Sequence, residues 1–306
     1  MRLAAIDIGT NSVKLIVADL EDKQIKNVLI DMPVITRLGQ DVNKTSEILP
    51  EAMARTLDVI KDFKNRAKAL GAVDISVIAT SAMRDAKNST VFSQMVSEQT
   101  GLDLHIASGE EEAELTFLGS CSDSDLLERN VLLVDVGGGS TEFIIGQNGN
   151  INDGFSINIG CVRLTEEFIH SDPVDSADLQ KIIQKSISML YPKLSSIPPE
   201  MREIVGVGGT ITSLAAVYQY MEGYSNIDVH KFILTKEQIV RLLTHLRRMT
   251  LEERRKVQGL QPERADVIVA GAAIFSTIME IMKAQEIMVS SRGLRYGALV
   301  KRAIKD

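Results

Sequence analysis

Cysteine and histidine are scarce in this chain. Of 306 residues, two are cysteines and four are histidines. Cys121 and Cys161 stand far apart and match no zinc-ligand spacing. His105, His170, His230 and His245 are scattered, so a histidine-based metal site is not expected. Long apolar runs are absent too: no stretch approaches the roughly 20 residues that cross a bilayer. The opening "MRLAAIDIG" reaches an aspartate too early for a signal peptide. An excess of positive charge is also missing. The formal net charge is −7, which argues against broad nucleic-acid binding, although local loops can still hold a small anion. These absences predict a cytoplasmic protein with reduced thiols, no membrane and no nucleic-acid partner. A homodimer is left open.

What is present is an ordinary soluble balance, 44% hydrophobic and 25% charged, in a chain long enough for two domains. It also says one thing twice. "LAAIDIGTNSVKLIV" at Leu3–Val17 returns as "LLVDVGGGSTEFII" at Leu132–Ile145. With Asp7 over Asp135, an offset of 128, Gly9 meets Gly137, Ser12 meets Ser140 and Ile16 meets Ile144. Each copy reads apolar strand, aspartate, glycine turn, serine, apolar strand.

The order of elements repeats as well. Strands are predicted at Leu3–Ile8, Val13–Asp19 and Ile25–Asp31, then a helix over Pro50–Leu70. A strand at Ile75–Ala79, a helix at Ser89–Thr100, a strand at Leu102–Ile106 and a helix start at "SGEEEAELTFLGS" follow. The second half gives strands at Val131–Val136, Thr141–Gly146 and Ile151–Ile157, with helices at Val162–His170 and Ser176–Tyr191. Glu203–Val207 is a strand, Thr212–Tyr220, Lys236–Arg248 and Arg264–Ala284 are helical, and Ile287–Ser290 precedes a closing helix. The expected fold is therefore α/β and duplicated, with mixed sheets flanked by helices and an interdomain cleft. The polar stretch before Val131 is the expected dividing line.

A hairpin needs only one glycine-containing turn, and "DIGTNS" alone would be satisfied by that. Three consecutive glycines in "DVGGGST" exceed what a hairpin requires and suit close approach of backbone to a ligand. Backbone N–H groups with serine or threonine hydroxyls form an anion-binding concavity. A third loop, "GVGGTIT" at Gly206–Thr212, lies between a strand and a helix start, where the helix dipole adds positive partial charge. Asp7 and Asp135 end buried strands, where an unpaired carboxylate is costly. Either each caps a turn, or they support a divalent cation bridged to phosphate through water, with Glu142 joining them.

Together "AIDIGTNSVKL", "ATSAMRDAKN", "SGEEEAELTFLG", "VDVGGGSTEFIIG", "GVGGTITSLA", "LQPERADVIVAGA" and "SRGLRYGAL" resemble the exopolyphosphatase / guanosine pentaphosphate phosphohydrolase (Ppx/GppA) family, inside the actin, Hsp70 and sugar-kinase superfamily. The motifs run over almost the whole chain in the family's order. The resemblance implies two actin-like (ribonuclease H-like) domains, each with a mixed five-stranded sheet: domain I at 1–116 plus about 291–306, domain II at 117–290. It implies hydrolysis of a terminal phosphate from inorganic polyphosphate or pppGpp. Longer relatives add an HD-type domain, and this chain looks like the short form.

The resemblance also implies roles. Glu112, immediately before Ala113, is the expected catalytic base, although Glu111 neighbours it and completes a capping box with Ser108. Arg84 is expected to hold the terminal phosphate with its planar fork. Gly9, Thr10, Asn11 and Ser12, then Gly137, Gly138, Gly139, Ser140 and Thr141, then Gly208, Gly209 and Thr210 are expected to bind phosphate oxygens. Asp7, Asp135 and Glu142 are expected to support Mg²⁺, or Mn²⁺ in its place. Lys14 is either a basic site residue or a plain strand residue. Arg247, Arg248, Arg254 and Arg255 belong to a basic helical segment that is either a solvated face or a channel for a long polyanion. Two other classes are carried beside hydrolysis: an actin-like sugar kinase, for which no sugar motif is evident, and a non-catalytic nucleotide or alarmone sensor. Glycine turns read phosphate only, so polyphosphate and pppGpp are not separated.

Overall fold

The structure, a computed structural model, describes residues 1–122, 129–147, 150–198, 203–222 and 226–304. They form two compact units, Met1–Asp125 with Arg292–Asp306, and Leu126–Ser291. Residues 123–128, most of the polar stretch expected to divide the domains, lie outside the described residues.

The first unit opens with β1 (Arg2–Ile8), β2 (Ser12–Glu21) and β3 (Gln24–Ile35). It continues through α1 (Val42–Thr45), α2 (Pro50–Ala69), β4 (Asp74–Ala79), α3 (Ser81–Asp85), α4 (Ser89–Thr100), β5 (Leu104–Ile106) and α5 (Gly109–Ser120). The sheet order is β3-β2-β1-β4-β5, antiparallel across the first three strands and parallel from β1 to β4 and β5. β3 runs past the expected Asp31 to Ile35 and includes Pro33, which an edge strand tolerates because no further strand needs its N–H.

Alternation along β1 sorts its side chains. Ala4, Ile6 and Ile8 pack with Leu57, Ile60 and Phe63, which α2 presents at helical spacing. Leu3 and Ala5 join a second core on the opposite face. Asp7 continues that second series, so its carboxylate lies on the face that a later helix covers.

The second unit contains β6 (Asn130–Val136), β7 (Thr141–Gln147), β8 (Asn150–Ile157), α6 (Cys161–Phe168), α7 (Ser176–Leu194), β9 (Glu203–Val207), α8 (Gly209–Tyr218) and α9 (Asn226–Val229). β10 (Ile233–Thr235), α10 (Lys236–Arg248), α11 (Leu251–Arg254), α12 (Ile268–Met282) and β11 (Glu286–Ser290) complete it. Its sheet has six strands, β10-β11-β9-β6-β7-β8, not the five expected. The extra strand is β10, three residues paired antiparallel with β11 and too short to show a period of two in sequence. α12 starts at Ile268 rather than Arg264 because Pro262–Arg264 form a separate 3₁₀ turn. One core spans the unit, with Leu132, Val134 and Val136 of β6, Ile211 and Leu214 of α8, and Ile274, Phe275 and Ile278 of α12 all buried.

α13 (Leu294–Ile304) returns to the first unit. It covers the Leu3–Ala5 face with Leu294, Ala298 and Leu299. It lies backbone to backbone on α5: a Cβ at Gly297 would collide with the Leu115 carbonyl, and one at Gly119 with the Gly293 carbonyl. Arg295 clasps half-buried Asp31 of β3 with two bonds of 2.6 and 2.8 Å, and the Tyr296 hydroxyl donates to the same carboxylate at 2.9 Å.

Candidate active site

The duplicated hairpins keep the same register. β1 and β2 place Asp7 opposite Lys14, and β6 and β7 place Asp135 opposite Glu142. Both pairs obey the sequence offset, so Lys14 and Glu142 are equivalent positions with opposite charge. Each turn closes with the same bond, Gly9 N–H to Ser12 O at 2.9 Å and Gly137 N–H to Ser140 O at 3.0 Å.

In the first unit, β1–β2 and α3 bring several expected residues together. The Thr10 and Ser81 hydroxyls bond at 2.8 Å, which fixes the turn against the start of α3. Asn11 is buried and its side-chain nitrogen has no partner among the described residues. An unfilled buried donor beside a glycine turn fits an anion that completes it. Lys14 donates to Asp7 at 3.2 Å. Arg84, on α3, donates from Nη1 to Glu112 at 2.6 Å and to the Ala107 carbonyl at 2.9 Å.

The start of α5 separates its glutamates. Ser108 and Glu111 make the capping box: Glu111 N–H donates to the Ser108 hydroxyl at 3.1 Å, and Ser108 N–H donates to the Glu111 carboxylate at 2.9 Å. The Ser108 N–H holds the Glu111 carboxyl below its usual range, with His105 adding to the effect. Glu112 points inward instead and is 9% exposed.

In the second unit the Gly137–Gly139 carbonyls are all taken. Gly137 O accepts from Cys161 N–H at 3.0 Å, Gly138 O from Val162 and Arg163 N–H at 2.9 and 3.1 Å, and Gly139 O from Arg163 Nε at 3.0 Å. The Thr141 hydroxyl donates to Ile159 O at 2.6 Å and the Thr210 hydroxyl to Val136 O at 3.3 Å. Both threonine side chains thus bond inside the fold. Glu142 is 1% exposed and accepts from the Ser156 hydroxyl at 2.8 Å.

The third glycine loop lies against the same turn. Gly208 has φ +88°, a conformation that costs other residues strain, and a Cβ there would collide with the Asp135 carboxylate. So Asp135, Gly137–Thr141 and Gly208–Thr210 share one neighbourhood. The sequence reading missed a further member. Buried Arg264 stacks its guanidinium against Gly209 and bonds Gln261 at 2.8 Å. Its signal was the arginine of "LQPERADV", which stands 55 residues from Gly209 and so shows no local pattern. Beside it, burial pushes the Cys161 thiol up to about 11, with Arg264 opposing.

A model of the Ppx/GppA phosphatase family matches residues 16–305. The chain belongs to this family. It is similar to exopolyphosphatase 2 of Mycobacterium tuberculosis, 36% identical over 89% of this chain and 88% of the relative. It is also similar to a guanosine-5'-triphosphate,3'-diphosphate pyrophosphatase of Vibrio vulnificus, 28% identical over 96% of this chain and 58% of that protein. Among solved structures, the Aquifex aeolicus Ppx/GppA family member superposes with a TM-score of 0.83 at 33% identity, covering 100% of this chain and 98% of that one. Two mixed sheets with flanking helices are the actin-like architecture of these Ppx/GppA structures.

Among the described residues of this Ppx/GppA chain, no group of three or more His, Cys, Asp or Glu is arranged to hold a metal by itself. Mg²⁺ commonly needs only one or two carboxylates, with water and substrate phosphate supplying the rest. Asp135 and Glu142 fit that use, because two cross-strand carboxylates repel and a divalent cation offsets both. Asp7 differs, since Lys14 supplies positive charge from the chain itself. Of the basic segment, Arg254 is buried and donates to Ala265 O and Met249 O at 2.8 Å each, so it braces the fold and does not belong to a surface channel. No helix among the described residues is long and apolar enough to cross a membrane.

Proposed function

We propose that this Ppx/GppA chain is a phosphoanhydride hydrolase that releases the terminal phosphate of inorganic polyphosphate or pppGpp, with Glu112 activating the attacking water. The observation that carries the reading is the buried Glu112 held by Arg84, on helices fixed to the Gly9–Ser12 turn through the Thr10–Ser81 bond.

The parts follow from what phosphoryl transfer needs, which is positioning and charge neutralisation. The tip N–H groups of Thr10 and Asn11 and the Asn11 amide bind the terminal phosphate. Lys14 balances Asp7 and leaves the turn hospitable to an anion. The Arg84 bond aims the Glu112 carboxylate and holds it in one place. As phosphate draws the Arg84 fork, Glu112 takes the proton of a water attacking phosphorus; the P–O anhydride bond breaks and the shortened polyphosphate or nucleotide leaves. In the second unit, the Gly137–Ser140 and Gly208–Thr210 backbones bind phosphate oxygens. Asp135 and Glu142 would hold Mg²⁺, which supplies charge neutralisation when bound. Two buried thiols without a disulfide suit a cytoplasmic setting.

The deciding experiment measures phosphate release side by side on long polyphosphate, tripolyphosphate, pppGpp and ATP, with and without Mg²⁺. Release from polyphosphate or pppGpp is the expected result. ADP formed from ATP only with an added sugar would replace this reading by a kinase, and tight binding with no release by a sensor.

A further inference from the structure

The two hairpin turns share a brace. In the first unit, the segment after β3 donates into the tip: Gly39 N–H to Thr10 O at 2.9 Å, and Thr36 and Arg37 N–H to Asn11 O at 3.1 and 3.0 Å. In the second unit, the segment after β8 does the same to Gly137, Gly138 and Gly139. Thr10 and Asn11 are the offset equivalents of Gly138 and Gly139. The duplication therefore preserves a third-strand return that docks on the turn, beyond the glycine motif itself.

Electrostatics gives the brace a meaning. A peptide tip can turn either its oxygens or its N–H groups toward a ligand, and oxygens repel phosphate. Donors that capture the tip carbonyls from one side fix the peptide planes and leave the N–H groups toward the other. Among the described residues, no acceptor is assigned to the Gly138 or Gly139 N–H. Three glycines in a row have the weakest intrinsic preference for any orientation, so this turn depends most on its brace.

We infer that the return segment Gly160–Arg163 is a carbonyl clamp that orients the Gly137–Gly139 loop for phosphate, and that Arg163 is its positioning residue. Arg163 acts twice, by its backbone N–H on Gly138 and its Nε on Gly139. It is the clamp member that reaches these carbonyls with a side chain, and so the one that substitution addresses most directly. Gly160 is needed for space, since a Cβ there would collide with the Gly138 carbonyl. In the first unit backbone N–H groups make the corresponding bonds, with Arg37 held at φ +53°, a conformation that disfavours side chains.

This inference rests on the proposed phosphoanhydride chemistry but is tested apart from it. Tripolyphosphate binding is measured by calorimetry, and KM and kcat are measured on the best substrate, for the wild type, Arg163→Gln, Arg163→Lys and Gly160→Ala. Loss of one charge-assisted bond predicts about a tenfold weaker Kd and higher KM for Arg163→Gln, with kcat changed much less. Arg163→Lys keeps the charge but has no Nε–H at that place, so its KM should stay raised. Gly160→Ala should move in the same direction and carries the test if Arg163→Gln does not fold. Wild-type affinity in Arg163→Gln, or full rescue by lysine, overturns the clamp. A fall in unfolding temperature with unchanged Kd overturns it too. A wild type that binds tripolyphosphate but hydrolyses nothing defeats the proposed function and leaves the clamp standing on its binding data.

Discussion

Arg84 and Glu112 meet at 2.6 Å through the same guanidinium nitrogen that holds the Ala107 carbonyl, so the carboxylate is fixed by a residue that is itself fixed. Glu112→Gln should therefore lower kcat by roughly 10²–10⁴-fold, the range for general-base catalysis, with little change in tripolyphosphate affinity. Glu111→Gln is the control. Glutamine still completes the capping box with Ser108, so α5 keeps its start and turnover should change much less. Steady-state kinetics on both variants decide it; near-normal kcat in Glu112→Gln removes that residue from the chemistry.

Chelation tests the carboxylate pair of the second unit. EDTA should suppress phosphate release and Mg²⁺ restore it. Glu142→Gln should raise the Mg²⁺ concentration needed for half-maximal activity, because one of two facing carboxylates is gone. Full activity after rigorous chelation would exclude an essential metal.

Acid should expose a structural carboxylate. Asp178 accepts from His170 N–H at 2.8 Å, and that bond chiefly holds its carboxyl below the ordinary value of 3.8, with Lys181 and Ser171 helping. A folded value below the unfolded one stabilises the protein above about pH 4, and the gain fades as pH falls through the folded value. Asp178→Asn should cost about 1–3 kcal/mol at neutral pH and flatten the acid-side loss. Denaturant midpoints taken between pH 3 and pH 7 read both effects.

The thiols should be silent in the native protein. Burial pushes Cys121 up to about 12 and Cys161 up to about 11, so little thiolate exists at pH 8. A thiol reagent at pH 8 should label neither residue until denaturant is added. Rapid stoichiometric labelling of the folded chain would contradict this burial.

The repeated Asp-Gly phrase and its offset made the duplicated hairpins legible, because turn chemistry is local. The Ser108–Glu111 capping box was legible for the same reason, and its formation leaves Glu112 as the inward glutamate. The Asp7–Lys14 pair was half visible: register was implied by the hairpin, yet a lysine in a strand carries no mark of its partner. Arg264, the Arg163 clamp and the bond from Thr141 to Ile159 were hidden. Each is a contact between segments whose spacing follows from sheet order and helix packing, so no periodicity in the chain announces it. β10 was hidden by brevity.

α13 is separated from every other element of its unit by the whole of the second unit. A ribosome therefore delivers Leu126–Ser291 as one continuous piece, able to close its core while synthesis continues. The first unit waits. Until Leu294 and the residues after it emerge, Leu3, Ala5, Ile16 and Ala18 have no α13 to cover them, Asp31 lacks Arg295, and α5 has no neighbour along Gly119. The helix that carries Glu112 is thus anchored only when α13 arrives, and a chain that still lacks α13 carries an open apolar sheet face for proteases to find.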